Sequence, residues 1–452
     1  MAFKTVSSLC VLCVFGGELF AADRPNVLVL LADDLRWDSV GCAGNPVVVT
    51  PNVDRLAEEG VRFTQARVTT SICMVSRATL LTGQHMARHG VTAFGKPLTA
   101  AQFADSYPGV LRAAGYYTGY VGKYGVGQPP AGGYDFARVY EGRHWVEGKG
   151  GKVHVTEQNT RDALDFLAGR PKDKPFCLCV GFFAPHAEDR ASEQYLPQPW
   201  SAKVYRGKAI PVPQTAAEKF VKLLPPFLAD ERNEGRVRWH KRFDTPEKYQ
   251  ASMTNYYRLV TEVDAAIGLI LDELRKQGAL DNTLVLFTGD NGYFHGEHGL
   301  ADKWYPYEES LRVPLIVRDP RLPAAKRGTT SGALALNLDV APTLVAAAGA
   351  KVPAGMQGRD LAPLYLGPKP SDWRTEFYYQ HPVVLGTDRI PRSEAVASLT
   401  AKYARWPDFD FEELYDLTAD PHEVRNLAKD PASAKRLAAM REKLAALREE
   451  AK

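Results

Sequence analysis

The chain has 452 residues, of which 45% are hydrophobic, and its formal net charge is only +3. This length and composition allow one large domain with a smaller one and give no sign of disorder. The small charge gives no reason to expect nucleic acid as a partner, and a polyanionic ligand would need a local patch of cations.

The first predicted element is a secretory signal peptide. Lys4 is followed by an apolar stretch from Val6 to Phe20 and then by Ala21-Ala22. This order is typical of a signal peptide that is cleaved near Ala22. A membrane anchor is the alternative, but the apolar run is short and is interrupted by Gly16-Gly17-Glu18. We therefore expect residues 1–22 to be removed, leaving a secreted or periplasmic protein without a stable membrane anchor.

Four apolar runs are predicted to be strands of one buried sheet. They are Asn26–Ala32, Tyr117–Val121, Phe176–Phe183 and Thr283–Thr288. Continuous apolar runs of this length, separated by helix-like segments, are typical of parallel strands that are buried on both faces. The polar residues that follow the four runs are Asp33-Asp34, Gly122-Lys123, Pro185-His186 and Asp290-Asn291. Because ligands bind beyond the carboxyl ends of parallel strands, these side chains should gather in one place.

Helical segments separate the strands, as an alternating fold requires. Thr50-Pro51 should open one helix, with Thr as its cap, and Gly60 should end it. A longer helix is predicted from about Pro246 to Lys276, with an apolar face that indicates core packing. The region from Tyr195 to Phe243 is rich in Pro and charge and lacks a clear period, so it is predicted to be a long surface excursion.

Signal cleavage would leave four cysteines, of which Cys73 stands in the most informative segment. Cys177 and Cys179 lie two residues apart on a predicted strand, which favours buried small hydrophobic residues over a zinc site. The sequence assigns no disulfide to these two or to Cys42. The segment Cys73-Met74-Val75-Ser76-Arg77 places an Arg four residues after a Cys. Taken alone, this cysteine is more simply interpreted as a buried structural residue.

Further motifs accompany the Cys73 segment in a specific order. They are Leu31-Ala32-Asp33-Asp34-Leu35, Gly122-Lys123, Pro185-His186, Thr288-Gly289-Asp290-Asn291-Gly292, Gly296-Glu297-His298-Gly299, Asp302-Lys303-Trp304, Tyr307-Glu308-Glu309-Ser310-Leu311-Arg312-Val313-Pro314, Glu413-Leu414-Tyr415-Asp416-Leu417, Asp420-Pro421 and Asn426-Leu427. In this order the set resembles the type I, formylglycine-dependent sulfatases of the alkaline-phosphatase-like superfamily over nearly the whole mature chain. Within that family the chain is similar to the branch directed at N-acetylglucosamine 6-sulfate and glycosaminoglycans.

The resemblance implies an α/β, alkaline-phosphatase-like fold in which helices flank a mostly parallel central sheet. The catalytic domain is expected at residues 23–365. Residues 366–452 should form a smaller α+β subdomain with a short antiparallel sheet, in which Glu412–Asp416 is one strand. A last helix is predicted from about Ala432 to Glu449, with an apolar stripe at Leu437, Met440, Leu444 and Leu447. The sequence is silent on oligomeric state.

By the same resemblance, Cys73 is oxidised by a formylglycine-generating or equivalent maturation enzyme. The formylglycine hydrate has one hydroxyl that attacks sulfur and another that later expels sulfate. One divalent cation should be bound by Asp33, Asp34, Asp290, Asn291 and the oxygen at position 73. Oxygen ligands favour a hard ion such as Ca²⁺, and Mg²⁺ is also compatible. Each acidic pair alone could instead be a helix cap or a simple turn.

The resemblance also implies the groups around the sulfuryl moiety. Lys123 and Lys303 should contact it, although most lysines are solvated surface residues, and Arg77 should hold the side chain at position 73. His186 is the candidate acid that protonates the leaving alcohol, because imidazole exchanges a proton near neutral pH. The alternative for His186 is a hydrogen bond to a backbone carbonyl.

Two positions depart from the family pattern. Val75 stands where the family usually has Pro or Ala, which bears on recognition by the oxidising enzyme. Gly125 stands where many relatives have a His that assists sulfate release. His295 and His298 are the candidate replacements.

The substrate is predicted from charge and from the resemblance. Arg236, Arg238, His240, Lys241 and Arg242 lie within seven residues, and Arg238 and His240 are taken as candidate substrate-binding residues, with a solvated surface as the alternative. A sulfated glycan is favoured over a small aryl sulfate. A 6-sulfated N-acetylglucosamine unit is the first candidate, and marine-type sulfated polysaccharides fit equally.

Two other functions stay open at this point. Phosphate or phosphonate monoester hydrolases share the scaffold, but they commonly use two metals with several His ligands, whereas this chain has Asp290-Asn291 in the second acidic motif. A non-catalytic protein that binds sulfated glycans is the other alternative, and it would keep Cys73 as a thiol.

Overall fold

A computed structural model describes residues 24–140, 142–148 and 150–452, so the predicted signal peptide lies outside the described residues. The strands are β1 (Asn26–Ala32), β2 (Val61–Phe63), β3 (Ala66–Arg67), β4 (Tyr117–Gly122), β5 (Phe136–Val139), β6 (Trp145–Gly148), β7 (Gly151–His154), β8 (Phe176–Gly181), β9 (Thr283–Gly289), β10 (Phe294–His295), β11 (Ala301–Asp302), β12 (Leu315–Arg318), β13 (Thr329–Ser331), β14 (Ala335–Leu336), β15 (Glu376–His381), β16 (Ser393–Ser398), β17 (Ala401–Trp406) and β18 (Phe411–Asp416). The α-helices are α1 (Pro51–Glu59), α2 (Cys73–Thr82), α3 (Met86–His89), α4 (Ala100–Ala104), α5 (Tyr107–Ala113), α6 (Val155–Gly169), α7 (Glu218–Val221), α8 (Pro226–Ala229), α9 (Glu234–Arg242), α10 (Pro246–Lys276), α11 (Glu308–Leu311), α12 (Val340–Ala347), α13 (Pro363–Leu366) and α14 (Ala434–Glu450).

The central sheet is mostly parallel, with the order β13-β2-β12-β9-β1-β8-β4-β5. β12 pairs antiparallel with both of its neighbours, and the other adjacent pairs are parallel. β1 lies between β8 and β9, and the register sets Ala32 opposite Gly289. The carboxyl ends of β1 and β9 therefore lie side by side. The predicted fold class is confirmed.

Helices cover both faces of this sheet, which explains why its inner strands are continuous apolar runs. Val27, Val29 and Leu31 of β1 pack in one core with residues of α2, α5 and α12. Leu28 and Leu30, which point to the other face, pack in a second core with α6 and α10. Period-two alternation thus divides one apolar strand between two cores.

The cysteines of β8 follow this packing. Cys177 and Cys179 are both buried in the first core, as the predicted strand register requires. With Cys42 and Cys73 they are the free cysteines of the described chain. Burial raises the pKa of the Cys177 thiol well above its usual value, so this residue behaves as a small hydrophobic side chain.

The carboxy-terminal part contains an antiparallel sheet of order β15-β16-β17-β18. β18 includes the predicted strand, and α14 begins two residues later than expected. Leu437, Met440 and Leu444 of α14 pack against this sheet, and Leu447 is partly buried there. A small carboxy-terminal sheet with a docked helix is therefore present, and the boundary at residues 365 and 366 stays a prediction.

The long segment from Tyr195 to Phe243 differs from the sequence-based expectation. It contains the helices α7, α8 and α9, and Tyr195, Tyr205 and Ile210 are buried in the second core. On α9, Arg236 and Arg242 are also buried. Arg242 contacts Asp302, which is distant along the chain, and such a partner leaves no periodic apolar pattern. The segment is therefore not only a surface excursion, because it forms helices and parts of it are buried. None of the helices in the described part of the chain is long and apolar enough to cross a membrane.

The α1 helix has the predicted bounds but a different cap. Thr50 makes no side-chain cap, and its Oγ1 instead accepts a bond from Gly41 N at 2.7 Å. The free amides of Asn52 and Val53 donate to Asp264 Oδ1 of α10 at 2.9 and 2.8 Å. Burial raises the pKa of the Asp264 carboxyl to about 6. A carboxylate from a neighbouring helix therefore satisfies the first turn of α1.

Candidate active site

Two acidic pairs meet where β1 and β9 end. Asp290 N donates to Ala32 O at 3.1 Å, and Asp34 N donates to Asp290 Oδ1 at 3.1 Å. Asn291 Nδ2 donates to Asp34 Oδ1 at 2.7 Å. Asp34 has φ 59°, a left-handed conformation that is uncommon for a residue with a side chain. The strand ends thus hold four polar side chains in one buried place, as the sequence predicts.

Arg77 joins three strand ends from the α2 helix. Its Nε donates to Asp290 Oδ2 at 2.7 Å, and its Nη1 donates to Lys123 O at 2.5 Å. Its Nη2 lies 3.5 Å from Asp33 Oδ2. The side chain is only 1% exposed. The planar guanidinium therefore fixes the relative positions of β1, β4 and β9.

Two lysines from distant parts of the sequence contact the aspartates. Lys123 Nζ forms an ion pair with Asp33, and Lys303 Nζ forms one with Asp34. Burial opposes ionisation of Asp33, but Lys123, His186 and Arg77 outweigh it and hold the pKa of Asp33 well below its usual range. Burial, together with the charge of Asp33, raises the pKa of Asp290 to about 6. The site is therefore a dense set of buried charges that shift one another's pKa values.

His186 lies beside the aspartates, after a cis peptide bond between Ala184 and Pro185. Its Nε2 is 3.5 Å from Asp34 Oδ2. Its Nδ1 donates to the carbonyl of Ala187 at 2.6 Å. Because a carbonyl only accepts, Nδ1 carries a proton and Nε2 is the nitrogen that can exchange one at the site. Burial lowers the pKa of His186, although the charge of Asp34 opposes this shift.

Cys73 opens α2 and is buried among these charges. Burial raises the pKa of its thiol, against the lowering effect of Lys123 and Lys303. Asp33 and Asp290 also act on it. The predicted convergence of position 73 with both acidic motifs is therefore present. A thiol held in its protonated form is a poor nucleophile, because the thiolate is the reactive species.

We call this set the strand-end cluster. Its members are Asp33, Asp34, Cys73, Arg77, Lys123, His186, Asp290, Asn291 and Lys303.

The strand-end cluster has the oxygen atoms that a hard cation requires. In the described part of the chain, Asp33 Oδ1, Asp34 Oδ2 and Asn291 Oδ1 are buried and have no hydrogen-bond partner. Buried polar atoms without a partner are costly and call for a ligand. One ligand atom each from Asp33, Asp34 and His186 lie within 4.8 Å of one another. These residues fit a divalent cation, and His186 was not among the predicted metal ligands.

Two predicted substrate-binding residues lie outside the strand-end cluster. Arg238 Nη1 lies 3.3 Å from Oδ2 of Asp302, the neighbour of Lys303, so Arg238 reaches the edge of the cluster. His240 pairs instead with Glu231 and Asp244 and is not brought to it. The predicted role of His240 therefore gains no support from its position.

The two histidines considered as substitutes for a residue at position 125 pack against aromatic rings. The His295 ring packs edge-to-face against Tyr256, and the His298 ring stacks on Tyr307. Gly125 itself has φ +75°, and a Cβ there would lie 2.8 Å from Arg77 Cδ. A side chain at position 125 is therefore incompatible with this placement of Arg77.

The sequence interpretation missed Asp189 and gave no role to Asp302. Asp189 contacts Arg238 and Arg242, and its charge interacts with that of His186. Asp302 contacts the same two arginines. Asp189 lies three residues after His186, and Asp302 directly precedes Lys303. This closeness to predicted site residues could have marked both acids as candidates.

The fold and the site together define a class of enzyme. Carboxylates that fit a cation lie beside lysines that can hold an oxyanion, at the carboxyl edge of a mostly parallel sheet. These features are typical of the active site of a hydrolase that acts on anionic esters.

Comparisons with known proteins define the family within that class. Residues 25–350 match the family model described as Sulfatase, and residues 296–450 match the one described as N-sulphoglucosamine sulphohydrolase, C-terminal. The chain therefore belongs to the sulfatase family and is a hydrolase of sulfate esters.

Individual relatives support this assignment. The chain is 31% identical to an N-acetylglucosamine-6-O-sulfatase of Bacteroides thetaiotaomicron, over 89% of this chain and 82% of the relative. It is 26% identical to the N-acetylglucosamine-6-sulfatase of Homo sapiens, over 90% of this chain and 81% of the relative. A solved structure of a protein in complex with its substrate D-glucosamine-2-N,6-O-disulfate has a TM-score of 0.82 and 29% identity, covering 95% of this chain and 98% of that chain.

Proposed function

We propose that the protein removes sulfate from a carbohydrate, with 6-O-sulfated N-acetylglucosamine as the first candidate, and that formylglycine from Cys73 and one Ca²⁺ take part. The observation that carries the proposal is that Cys73, buried at the start of α2, interacts electrostatically with two lysines and with both acidic motifs. The names of two relatives, both N-acetylglucosamine 6-sulfatases, support the choice of sugar.

Residues of the strand-end cluster would hold both the calcium ion and the formylglycine side chain. Asp33, Asp34, Asp290 and Asn291 would hold the calcium ion through their side-chain oxygens. When bound, calcium lowers the pKa of a nearby hydroxyl and offsets charge on sulfuryl oxygens, while the hydrated aldehyde supplies the attacking hydroxyl. Mg²⁺ fits the same oxygen-rich set, although it demands a more regular geometry.

The residues of the chain then bind and orient the ester. Lys123 and Lys303 supply positive charge to the sulfuryl oxygens, and burial makes that charge more effective. The free amides in the first turn of α2 favour the same anion. Arg77 holds Asp290 and the Lys123 backbone in place, so it positions groups on both sides of residue 73.

His186 donates a proton to the leaving alcohol. Its Nδ1 is committed to the Ala187 carbonyl, so the proton is donated from Nε2. Asp34, 3.5 Å away, stabilises the cationic imidazole that can make this donation. Burial opposes that cation and lowers the pKa of His186, which makes the protonated form a stronger acid.

The proposal extends to maturation and export. Residues 1–22 would act as a signal peptide, and an oxidising enzyme that accepts Val75 would act on the Cys73 segment. Expression with such an enzyme, followed by mass spectrometry of the peptide from Val68 to Arg77, tests both chemistry and recognition. An aldehyde at position 73 is expected. A thiol in that peptide, together with retained binding of sulfated sugar, would favour the non-catalytic alternative.

Activity assays test the reaction and the substrate. Purified protein is given N-acetylglucosamine 6-sulfate and, separately, N-acetylglucosamine 6-phosphate, and inorganic sulfate and phosphate are measured. Turnover is expected for the sulfate ester. Preferred turnover of the phosphate ester would contradict the proposal and favour a phosphate or phosphonate hydrolase. The Cys73→Ala variant is the matched control for contaminating activity.

A further inference from the structure

One carboxylate stands at the exposed end of the strand-end cluster. Side-chain exposure rises from 0% at Asp34, through 14% at His186, to 40% at Asp189. His186 faces Asp34 on one side, and its charge interacts with that of Asp189. This order leads from the buried cluster toward solvent. Since His186 is placed to protonate the leaving alcohol, the alcohol part of the substrate should extend in this direction.

Asp189 forms a pair with Arg238. Nη1 of Arg238 contacts Asp189 Oδ1, and Nε donates to Glu234 Oε1 at 2.6 Å. Arg242 Nη2 also lies 3.4 Å from Asp189 Oδ1. Within residues 24–140, 142–148 and 150–452, Asp189 Oδ2 and Arg238 Nη2 make no hydrogen bond. An acceptor and a donor that make no hydrogen bond therefore belong to one ion pair, whose carboxylate interacts with the charge of His186.

Charge balance alone does not account for Asp189. Arg238 has the carboxylates of Glu234 and Asp302 as further partners. Arg242 contacts Asp302 as well, and its Nε donates to Gln194. Without Asp189, each of the two arginines would still be paired with a carboxylate. The Asp189 side chain is also more exposed than either arginine.

We propose that Asp189 and Arg238 form a clamp for hydroxyl groups of the sugar that carries the scissile sulfate. The inference rests on the proposed function and specifies which part of the substrate the protein recognises. The carboxylate accepts a bond from one hydroxyl, and the guanidinium donates to a neighbouring oxygen. Charge-assisted bonds of this kind are strong and directional. An aryl sulfate without hydroxyl groups has nothing for this clamp to hold.

The test compares two sulfate esters on one variant. Asp189→Asn should lower kcat/KM for N-acetylglucosamine 6-sulfate by about 10- to 100-fold, because a charge-assisted bond is lost. For 4-nitrophenyl sulfate the change should stay below about threefold. The matched control is Asp230→Asn, since Asp230 has similar side-chain exposure, at 37%, and pairs with Arg232. This control should leave both activities unchanged, and thermal unfolding checks that both variants fold.

Either of two results would overturn the clamp. Equal losses on both esters would mean that Asp189 acts through His186 or through the fold. No loss on the sugar ester would mean that Asp189 does not touch the substrate.

A binding measurement separates the clamp from the proposed catalysis. Calorimetry with N-acetylglucosamine 6-sulfate is performed on Cys73→Ala, with and without Asp189→Asn. At least a tenfold loss of affinity on Asp189→Asn supports the clamp, even where the unmodified chain shows no turnover. An affinity that does not depend on Asp189 overturns it, whatever the enzyme hydrolyses.

Discussion

Two groups of charged side chains lie side by side in this protein, and they differ in whether their carboxylates have hydrogen-bond partners. On α9, Arg236 pairs with Glu231, Arg238 with Glu234, and Arg242 with Asp302. In the strand-end cluster, carboxylate oxygens of Asp33 and Asp34 are buried without a hydrogen-bond partner in the described chain. Arg236 and Arg242 of α9 thus serve the fold, whereas the carboxylate oxygens without a hydrogen-bond partner mark the place for a ligand.

Replacement of Cys73 is the largest test of this comparison. Cys73→Ala should lower sulfate ester hydrolysis by roughly 10³-fold or more, because the proposed nucleophile is lost. Cys177→Ala, a change at another buried cysteine, should cost about 1 kcal/mol of stability and leave the activity of the folded protein intact. Activity per folded molecule, with calorimetric unfolding, distinguishes them. Equal activity in the two variants would remove position 73 from the reaction.

Removal of calcium should have the next largest effect. Chelation is expected to lower activity by about 100-fold, and added Ca²⁺ should restore it. At about 100 times its Kd, the ion should also stabilise the fold by about 2.7 kcal/mol. Asp33→Asn should abolish this stabilisation, whereas Glu231→Gln, which alters a partner of Arg236, should preserve it. A Ca²⁺ response that survives in Asp33→Asn would place the ion elsewhere.

Arg-to-Lys substitutions in each of the two groups test the difference between them. Arg77→Lys should reduce activity by about 10- to 100-fold, since an ammonium cannot bond Asp290, Asp33 and the Lys123 carbonyl together. Arg236→Lys should cost about 1–3 kcal/mol of stability through its lost bonds to Gly299 and Glu231. Its activity per folded molecule should stay within about twofold of the original. Similar losses of activity in both variants would contradict the division between the two groups.

Asp264, which lies outside both groups, gives the smallest predicted effect. The folded protein holds its pKa at about 6, above the unfolded value, because the side chain is buried. This carboxyl therefore favours folding at low pH, and the benefit is lost as pH rises through about 6. The Asp264→Asn variant has no carboxyl at this position and should not lose stability in this way. Its free energy of unfolding, minus that of the original protein, should therefore increase by about 1–3 kcal/mol between pH 4 and pH 7. Urea unfolding across this range measures it, and parallel curves would refute the assignment.

The sequence predicted the sheet and the strand-end cluster because both depend on local patterns. An apolar run that ends in Asp33-Asp34 predicts both a buried strand and a polar group at its carboxyl end. The parallel register of β1 and β9 then brings Asp290 to Asp34, although 256 residues separate them. The fold class and the family follow from the same patterns.

What the sequence did not predict depends on partners that are distant along the chain. The helix α9 is stabilised by Asp302, which lies 60 residues from Arg242, so its charged sequence resembled an exposed loop. The first turn of α1 is satisfied by Asp264, more than two hundred residues away, and not by Thr50. Such pairings are set by tertiary packing, and propensity or spacing does not encode them.

The burial of α2 limits when Cys73 can be oxidised. All ten of its residues, from Cys73 to Thr82, are buried, and Arg77 is bonded to the ends of two strands. If Cys73 is oxidised as proposed, the oxidising enzyme has to meet the nascent chain before this helix is enclosed. A molecule that folds first keeps its thiol, so the fraction of active enzyme depends on whether oxidation precedes folding.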